Sequence, residues 1–225
     1  MGHVRRLIAF DLDGTLIDSR RDLTDSVNLL IRERGGEPLS EDAVGRMVGE
    51  GARVLVHRAL EAAGLEDEPG SMTRFLEIYD SRLLKHTRAY DGITDVVRVA
   101  KEHATVVVLT NKPVKPTTRI LEGLGLLHLF DDVVGGDGPL PRKPDPASLQ
   151  ALMDRAGITA SRTLMVGDSL IDFETAQRAA VHCCMAAFGY GFLTFPRGRL
   201  TGKEWVIESP AQLAGVIEEF VSLAD

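Results

Sequence analysis

The stretch Leu7-Ile8-Ala9-Phe10-Asp11-Leu12-Asp13-Gly14-Thr15-Leu16 constrains this chain more than any other. An apolar run ends in two carboxylates two residues apart, and a glycine then lets the backbone turn sharply. On an extended backbone alternate side chains point the same way, so Asp11 and Asp13 can face one pocket at the end of a buried strand. Two anions at a strand end cost stability unless a cation or a reaction requires them. A solvated turn is the plain alternative. A calcium-binding loop is not, because the EF-hand pattern needs glycine at its sixth position, and counting from Asp11 that residue is Leu16.

At 225 residues the chain can form one large domain, or a core with a smaller insert. Its 44% hydrophobic content suits an ordinary globule, and its formal charge of -7 offers no basic footprint for nucleic acid or an anionic membrane. Arg5 and Arg6 precede an apolar run that Asp11 cuts short, so it is too short for a signal-peptide core, and no later stretch is long enough to span a bilayer. The only cysteines, Cys183 and Cys184, are neighbours in an apolar segment. Successive side chains on a strand diverge, so they read as buried free thiols in a reducing, cytoplasmic protein.

Apolar residues recur at helical spacing in Leu23, Val27, Leu30 and Ile31, in Leu55, Val56, Ala59, Leu60 and Ala63, and in Met72, Phe75, Leu76, Tyr79 and Leu83. Gly35-Gly36, Gly64 and Pro69-Gly70 punctuate these runs, which predicts a helical bundle with no convincing strand. From Tyr90 the pattern alternates between helix and strand. The predicted strands are Thr105 to Leu109, a short one around Val133-Val134, Thr163 to Val166, and the cysteine segment. Asp145-Pro146 and Ser209-Pro210 read as an N-cap followed by a first-turn proline. The expected fold is α/β, a doubly wound parallel sheet with an inserted α-helical cap. The expected division assigns residues 1–14 plus 88–225 to the core and 15–87 to the cap.

In doubly wound sheets ligands sit outside the carboxyl ends of the strands. Those ends would carry Asp11 and Asp13, Thr110-Asn111, Arg142-Lys143-Pro144-Asp145, and Gly167-Asp168-Ser169 with Asp172. Each has an ordinary reading: Thr110 and Asn111 as helix caps, Lys143 as a surface lysine, Ser169 and Asp172 as a capping box. Their arrival in order at successive strand ends favours a shared site. Three carboxylates in one crevice call for a hard divalent cation such as Mg²⁺, which takes one or two carboxylates plus phosphate oxygens. A carboxylate approaching a phosphate dianion meets repulsion of about 4 kcal/mol per charge pair at an effective dielectric near 20. A metal ion, a lysine and oriented donors reverse that sign.

This set, Asp11-Leu12-Asp13-Gly14-Thr15, Thr110-Asn111, Lys143-Pro144 and Gly167-Asp168-Ser169 with Asp172, resembles the haloacid-dehalogenase-like superfamily over nearly the whole chain. The resemblance implies that Asp11 is the nucleophile of an aspartyl-phosphate and that Asp13 is the acid and base. It implies that Thr110 and Lys143 hold the phosphoryl group, with Asn111 also at the substrate. Mg²⁺ would be bound by Asp11, the Asp13 carbonyl and Asp168, with Asp172 supporting those ligands. Val48-Gly49-Glu50-Gly51-Ala52, Leu109-Thr110-Asn111-Lys112-Pro113, Gly135-Gly136-Asp137, Lys143-Pro144-Asp145-Pro146 and Gly189-Tyr190-Gly191 are similar to the phosphoglycolate phosphatases with a helical cap. Two positions depart from that pattern: Glu50 replaces an asparagine and Asp91 a proline.

The implied partner is a small phosphate ester, with no nucleic acid and no membrane, acted on by a monomer or homodimer. A cap cation is expected for a substrate carboxylate. Arg46, Arg53 and His57 are the candidates, with Arg53 chosen from the first turn after Gly51, where Glu50 could pair with it. Asp13 disfavours a dehalogenase, and the position of Lys85, the cap's only lysine, disfavours a phosphonate-cleaving enzyme. Inorganic pyrophosphatase, sugar or nucleotide phosphatase and phosphoryl mutase share the core set. A catalytically silent phosphate-binding regulator is the non-enzymatic alternative.

Overall fold

The apolar run Arg6–Phe10 forms strand β1, buried along its whole length as expected of a central parallel strand covered on both faces. The structure is a computed structural model that describes residues 5–223, so the first four and last two residues of the expected core lie outside the described residues. Strands β2 (Ile17–Asp18) and β3 (Arg88–Ala89) pair antiparallel with each other. Between them run helices α1 (Arg20–Glu33), α2 (Glu41–Gly45), α3 (Ala52–Ala62) and α4 (Ser71–Asp80). This pair was not expected from the sequence; two-residue strands are too short to show alternation. It brings both ends of the helical stretch together. Asp22 on α1 fastens the return, since its Oδ2 accepts bonds from the His86 and Thr87 backbone N–H groups at 2.8 Å each and from the Thr87 hydroxyl at 2.9 Å.

The chain continues through α5 (Ile93–His103), β4 (Ala104–Leu109), α6 (Val114–Gly123), β5 (Asp132–Val134), α7 (Ala147–Ala156), β6 (Thr163–Gly167), α8 (Leu170–Arg178), β7 (His182–Ala186), β8 (Trp205–Ile207) and α9 (Pro210–Ser222). The six-stranded sheet has the order β5-β4-β1-β6-β7-β8, with every pair parallel. Alternation along β1 separates two cores. Ile8 and Phe10 join the cluster built by α5, α6, α9 and the helices α1–α4, whereas Leu7 and Ala9 join that of α7 and α8. This is the doubly wound α/β fold expected.

Two local expectations need adjustment. Strand β8 went unforeseen, because three residues flanked by charged and glycine positions carry little pattern. Helix α7 starts at Ala147, with Pro146 at the N-cap position, and Asp145 Oδ1 accepts from the Ala147 N–H at 2.9 Å. Ser209 and Pro210 open α9 as expected, and Cys183 and Cys184 are buried and free.

Candidate active site

The chain runs outward from β1 through β4 to β5, then returns to place β6 against the other side of β1. That reversal opens a crevice at the carboxyl ends of β1, β4 and β6. Asp11 follows β1 and its N–H still bonds the Val166 carbonyl at 2.9 Å, while the Thr110 N–H bonds the Val134 carbonyl at 2.9 Å. Sheet pairing therefore fixes both residues at the crevice floor. Asp168 directly follows β6, Asp172 sits in the first turn of α8, and Lys143 reaches in from the β5–α7 connection, where the Lys143–Pro144 peptide is cis.

Lys143 is buried, not a surface lysine. Its Nζ donates to Asp11 Oδ1 at 2.7 Å and to Asp172 Oδ1 at 2.6 Å. The remaining Asp172 oxygen accepts from the Ser169 N–H at 3.1 Å and from its hydroxyl at 2.6 Å, so the expected capping box forms and also orients Asp172. Asp168 Oδ2 accepts from the Gly191 N–H at 2.7 Å. Glycines make room for this carboxylate: a Cβ on Gly14 would lie 1.9 Å from Asp168 Oδ2, and one on Gly189 2.5 Å from it.

Carboxylate oxygens of Asp11, Asp168 and Asp172 lie within 4.8 Å of one another, and all three residues are buried. Burial pushes the Asp11 carboxyl up to about 7; Lys143 opposes this rise and Asp172 adds to it. Asp168 is held well above the usual carboxylate range by burial, then by Asp172 and Asp11. Burial pulls the Lys143 ammonium down, but Asp11 and Asp172 outweigh it and hold its pKa above the ordinary lysine value. Three carboxylates against one ammonium leave an excess of negative charge that a divalent cation would balance, and an all-oxygen donor set suits a hard one.

Asp11, Asp13, Thr110, Asn111 and Lys112 line a cavity whose other wall is mainly apolar, formed by Leu23, Val48, Leu55, Phe75 and Leu76 among others. Lys143 holds Asp11 by one oxygen and leaves the other unengaged. Asp13 accepts from the Ser19 hydroxyl and, at both oxygens, from Lys112 Nζ at 3.0 and 2.9 Å. Thr110 and Asn111 do not cap α6; Asp137 Oδ1 takes the Val114 N–H instead, at 2.8 Å. Asn111 uses its amide to tie two backbone carbonyls, Gly49 and Lys143, each at 2.9 Å. It thus links the helical stretch to the loop that carries the lysine.

Arg53 is not brought to this group. Ala52 and Leu55 line the cavity, whereas Arg53 is exposed. Glu50 pairs with Arg58 at 2.6 Å, not with Arg53, so its charge is answered away from the pocket. Asp91 is exposed in the turn before α5. The residues that sequence reasoning missed are Lys112, Ser19 and the Gly191 N–H. Lys112 and the Gly191 N–H contact site carboxylates across long stretches of chain, Ser19 contacts Asp13 from six residues on, and only the local neighbours of Lys112 hinted at its role.

A model of the haloacid dehalogenase-like hydrolases matches residues 8–186, which include every residue of the acidic cluster. The chain belongs to that family. A phosphoglycolate phosphatase of Rhodospirillum rubrum is 44% identical over 194 residues, covering 82% of this chain and 80% of that protein. Phosphoglycolate phosphatase 1 of Pseudomonas aeruginosa is 38% identical over 228 residues, covering 98% and 80%. Among solved structures, a predicted phosphoglycolate phosphatase from Haemophilus somnus superposes with a TM-score of 0.87 at 29% identity, covering 94% of this chain and 97% of that one. No helix among the described residues of this hydrolase is long and apolar enough to cross a membrane.

Proposed function

We propose that this hydrolase is a Mg²⁺-dependent phosphoglycolate phosphatase that works through an aspartyl-phosphate on Asp11. The observation that carries the reading is the Lys143-held Asp11, one oxygen unengaged, at the floor of an apolar-walled cavity beside Asp13 and Thr110. The 44% identical relative named phosphoglycolate phosphatase supports the substrate. Residues 15–87 act as a cap over a core of 1–14 plus 88–225, and the β2–β3 pair serves as its base. The buried free thiols support a reducing, cytoplasmic setting.

Asp11, Asp168 and the Asp13 carbonyl would hold Mg²⁺, with Asp172 fixing their surroundings through Lys143 and Ser169. When bound, the ion supplies positive charge against the phosphoryl oxygens. Lys143 and Thr110 hold the phosphoryl group for in-line attack. An Asp11 oxygen bonds to phosphorus as the bond to the ester oxygen breaks, and Asp13 gives that oxygen its proton. Asp13 then takes a proton from water, whose oxygen attacks phosphorus. The bond to Asp11 breaks, phosphate leaves and the carboxylate is restored. The apolar wall keeps bulk water out during the first step.

A panel of phosphoglycolate, sugar phosphates, nucleotides, an aryl phosphate and pyrophosphate, each assayed with Mg²⁺, tests the reading. Highest kcat/KM on phosphoglycolate is expected. A preference for pyrophosphate or for a sugar or nucleotide ester would overturn the substrate, and no hydrolysis of any would overturn the enzyme.

A further inference from the structure

Lys112 has no part in the steps above, yet it is buried against the reacting groups, with its ammonium bonded to both oxygens of Asp13. It is the one cationic residue among those lining the cavity. An ammonium carries three N–H donors, and Asp13 engages two of them. The Nζ also lies 4.9 Å from the centre of the Tyr79 ring, and Tyr79 lines the same cavity. We propose that Lys112 recognises the substrate's carboxylate while it holds Asp13, making it the specificity-determining cation of the site; this rests on the phosphoglycolate reading.

Chemistry places the carboxylate there. In phosphoglycolate a single methylene separates it from the ester oxygen, and that oxygen is the one Asp13 must protonate. Any cation that reads the carboxylate must therefore lie beside Asp13. None of the cations of the helical stretch lines the cavity: Arg46, Arg53 and His57 are exposed, Arg58 is paired with Glu50, and Arg20, next to Ser19, is paired with Asp18 at 2.6 Å. Arg142 is exposed, donates through Nε to the Gly136 carbonyl at 2.6 Å and lies behind Gly51 without itself lining the cavity. The apolar wall opposite Lys112 offers an anion no competing partner and little screening, which strengthens the one ion pair it could form.

The test compares kcat/KM for wild type, Lys112→Met, Lys112→Gln and Lys112→Arg on phosphoglycolate and on 2-hydroxyethyl phosphate, which keeps an alkoxide leaving group of the same length but lacks the carboxylate. Both uncharged variants should lose at least roughly tenfold more on phosphoglycolate than on 2-hydroxyethyl phosphate, with a rise in KM on phosphoglycolate alone. Lys112→Arg should recover part of the ratio. Glutamine can still donate to Asp13, so it separates charge recognition from support of Asp13 and stands in if the methionine variant does not fold. Equal losses on both substrates, or no loss on either, would overturn the inference and leave Lys112 a support for Asp13. A wild type active on 2-hydroxyethyl phosphate but inactive on phosphoglycolate would instead overturn the substrate reading itself.

Discussion

Replacing Lys143 by methionine removes the only ammonium from the acidic cluster while nearly preserving side-chain volume. Lys143 Nζ pairs with Asp11 at 2.7 Å and Asp172 at 2.6 Å, and its side chain is 3% exposed. Breaking a buried ion pair by removing one partner costs about 3–5 kcal/mol, because the other charge stays buried. We take about 4 kcal/mol for metal-free protein at pH 8, a large share of a typical total of about 5–15 kcal/mol. The cost depends on pH. The Asp11 carboxyl stands at about 7 against an ordinary 3.8, so the folded state keeps a proton that the unfolded state releases. Stability of metal-free protein therefore falls as pH rises from about 4 through 7. Lys143 opposes that upward shift, so its loss pushes Asp11 higher still and extends the fall above pH 7. Urea unfolding followed by circular dichroism, with chelator and with Mg²⁺, measures the difference. The variant's deficit should be larger at pH 8 than at pH 6, and Mg²⁺ should recover part of it. A deficit under about 1 kcal/mol at pH 8 in chelator, or one that shrinks as pH rises, would refute the reasoning.

Two further outcomes follow from the same cluster. Gly14→Ala forces a left-handed φ of 89° on a residue with a Cβ and drives that atom into Asp168. It should cost at least about 1–2 kcal/mol of stability and weaken Mg²⁺ at least roughly tenfold, read by metal titration of turnover; unchanged metal dependence would count against Asp168 as a ligand. In wild type, Mg²⁺ at about 100 times its Kd should add about 2.7 kcal/mol to unfolding stability, and Asp168→Asn should lose that increment, with equal protection of both proteins as the contrary result.

The sheet was legible because its central strands are continuous apolar runs, and Asp11, Thr110 and Asp168 were legible because each ends one. Lys143 came from the same logic, since the connection after β5 must return over the strand ends. Arg53 stands outside the cavity for a physical reason. Its distance from Gly51 along the chain was known, but the face of α3 that meets the core is set by packing partners elsewhere. Leu55, Val56, Ala59 and Leu60 turn that face inward and leave Arg53 outside it. Asn111 was placed correctly, but its amide is occupied by two backbone carbonyls, and hydrogen-bond targets do not follow from position. Lys112 hid beside it, because its role depends on Asp13, ninety-nine residues away. The β2–β3 pair was invisible for a similar reason, as its register joins Ile17 to Ala89.

The central claim is the covalent bond to Asp11, and the stereochemical course at phosphorus tests it most directly. Two successive in-line displacements, first by Asp11 and then by water, must return the original configuration. A phosphorothioate monoester made chiral at phosphorus with two oxygen isotopes, hydrolysed in water of the third and analysed as inorganic thiophosphate, should therefore show net retention. Net inversion would mean that water attacks phosphorus directly, and Asp11 would not be a nucleophile.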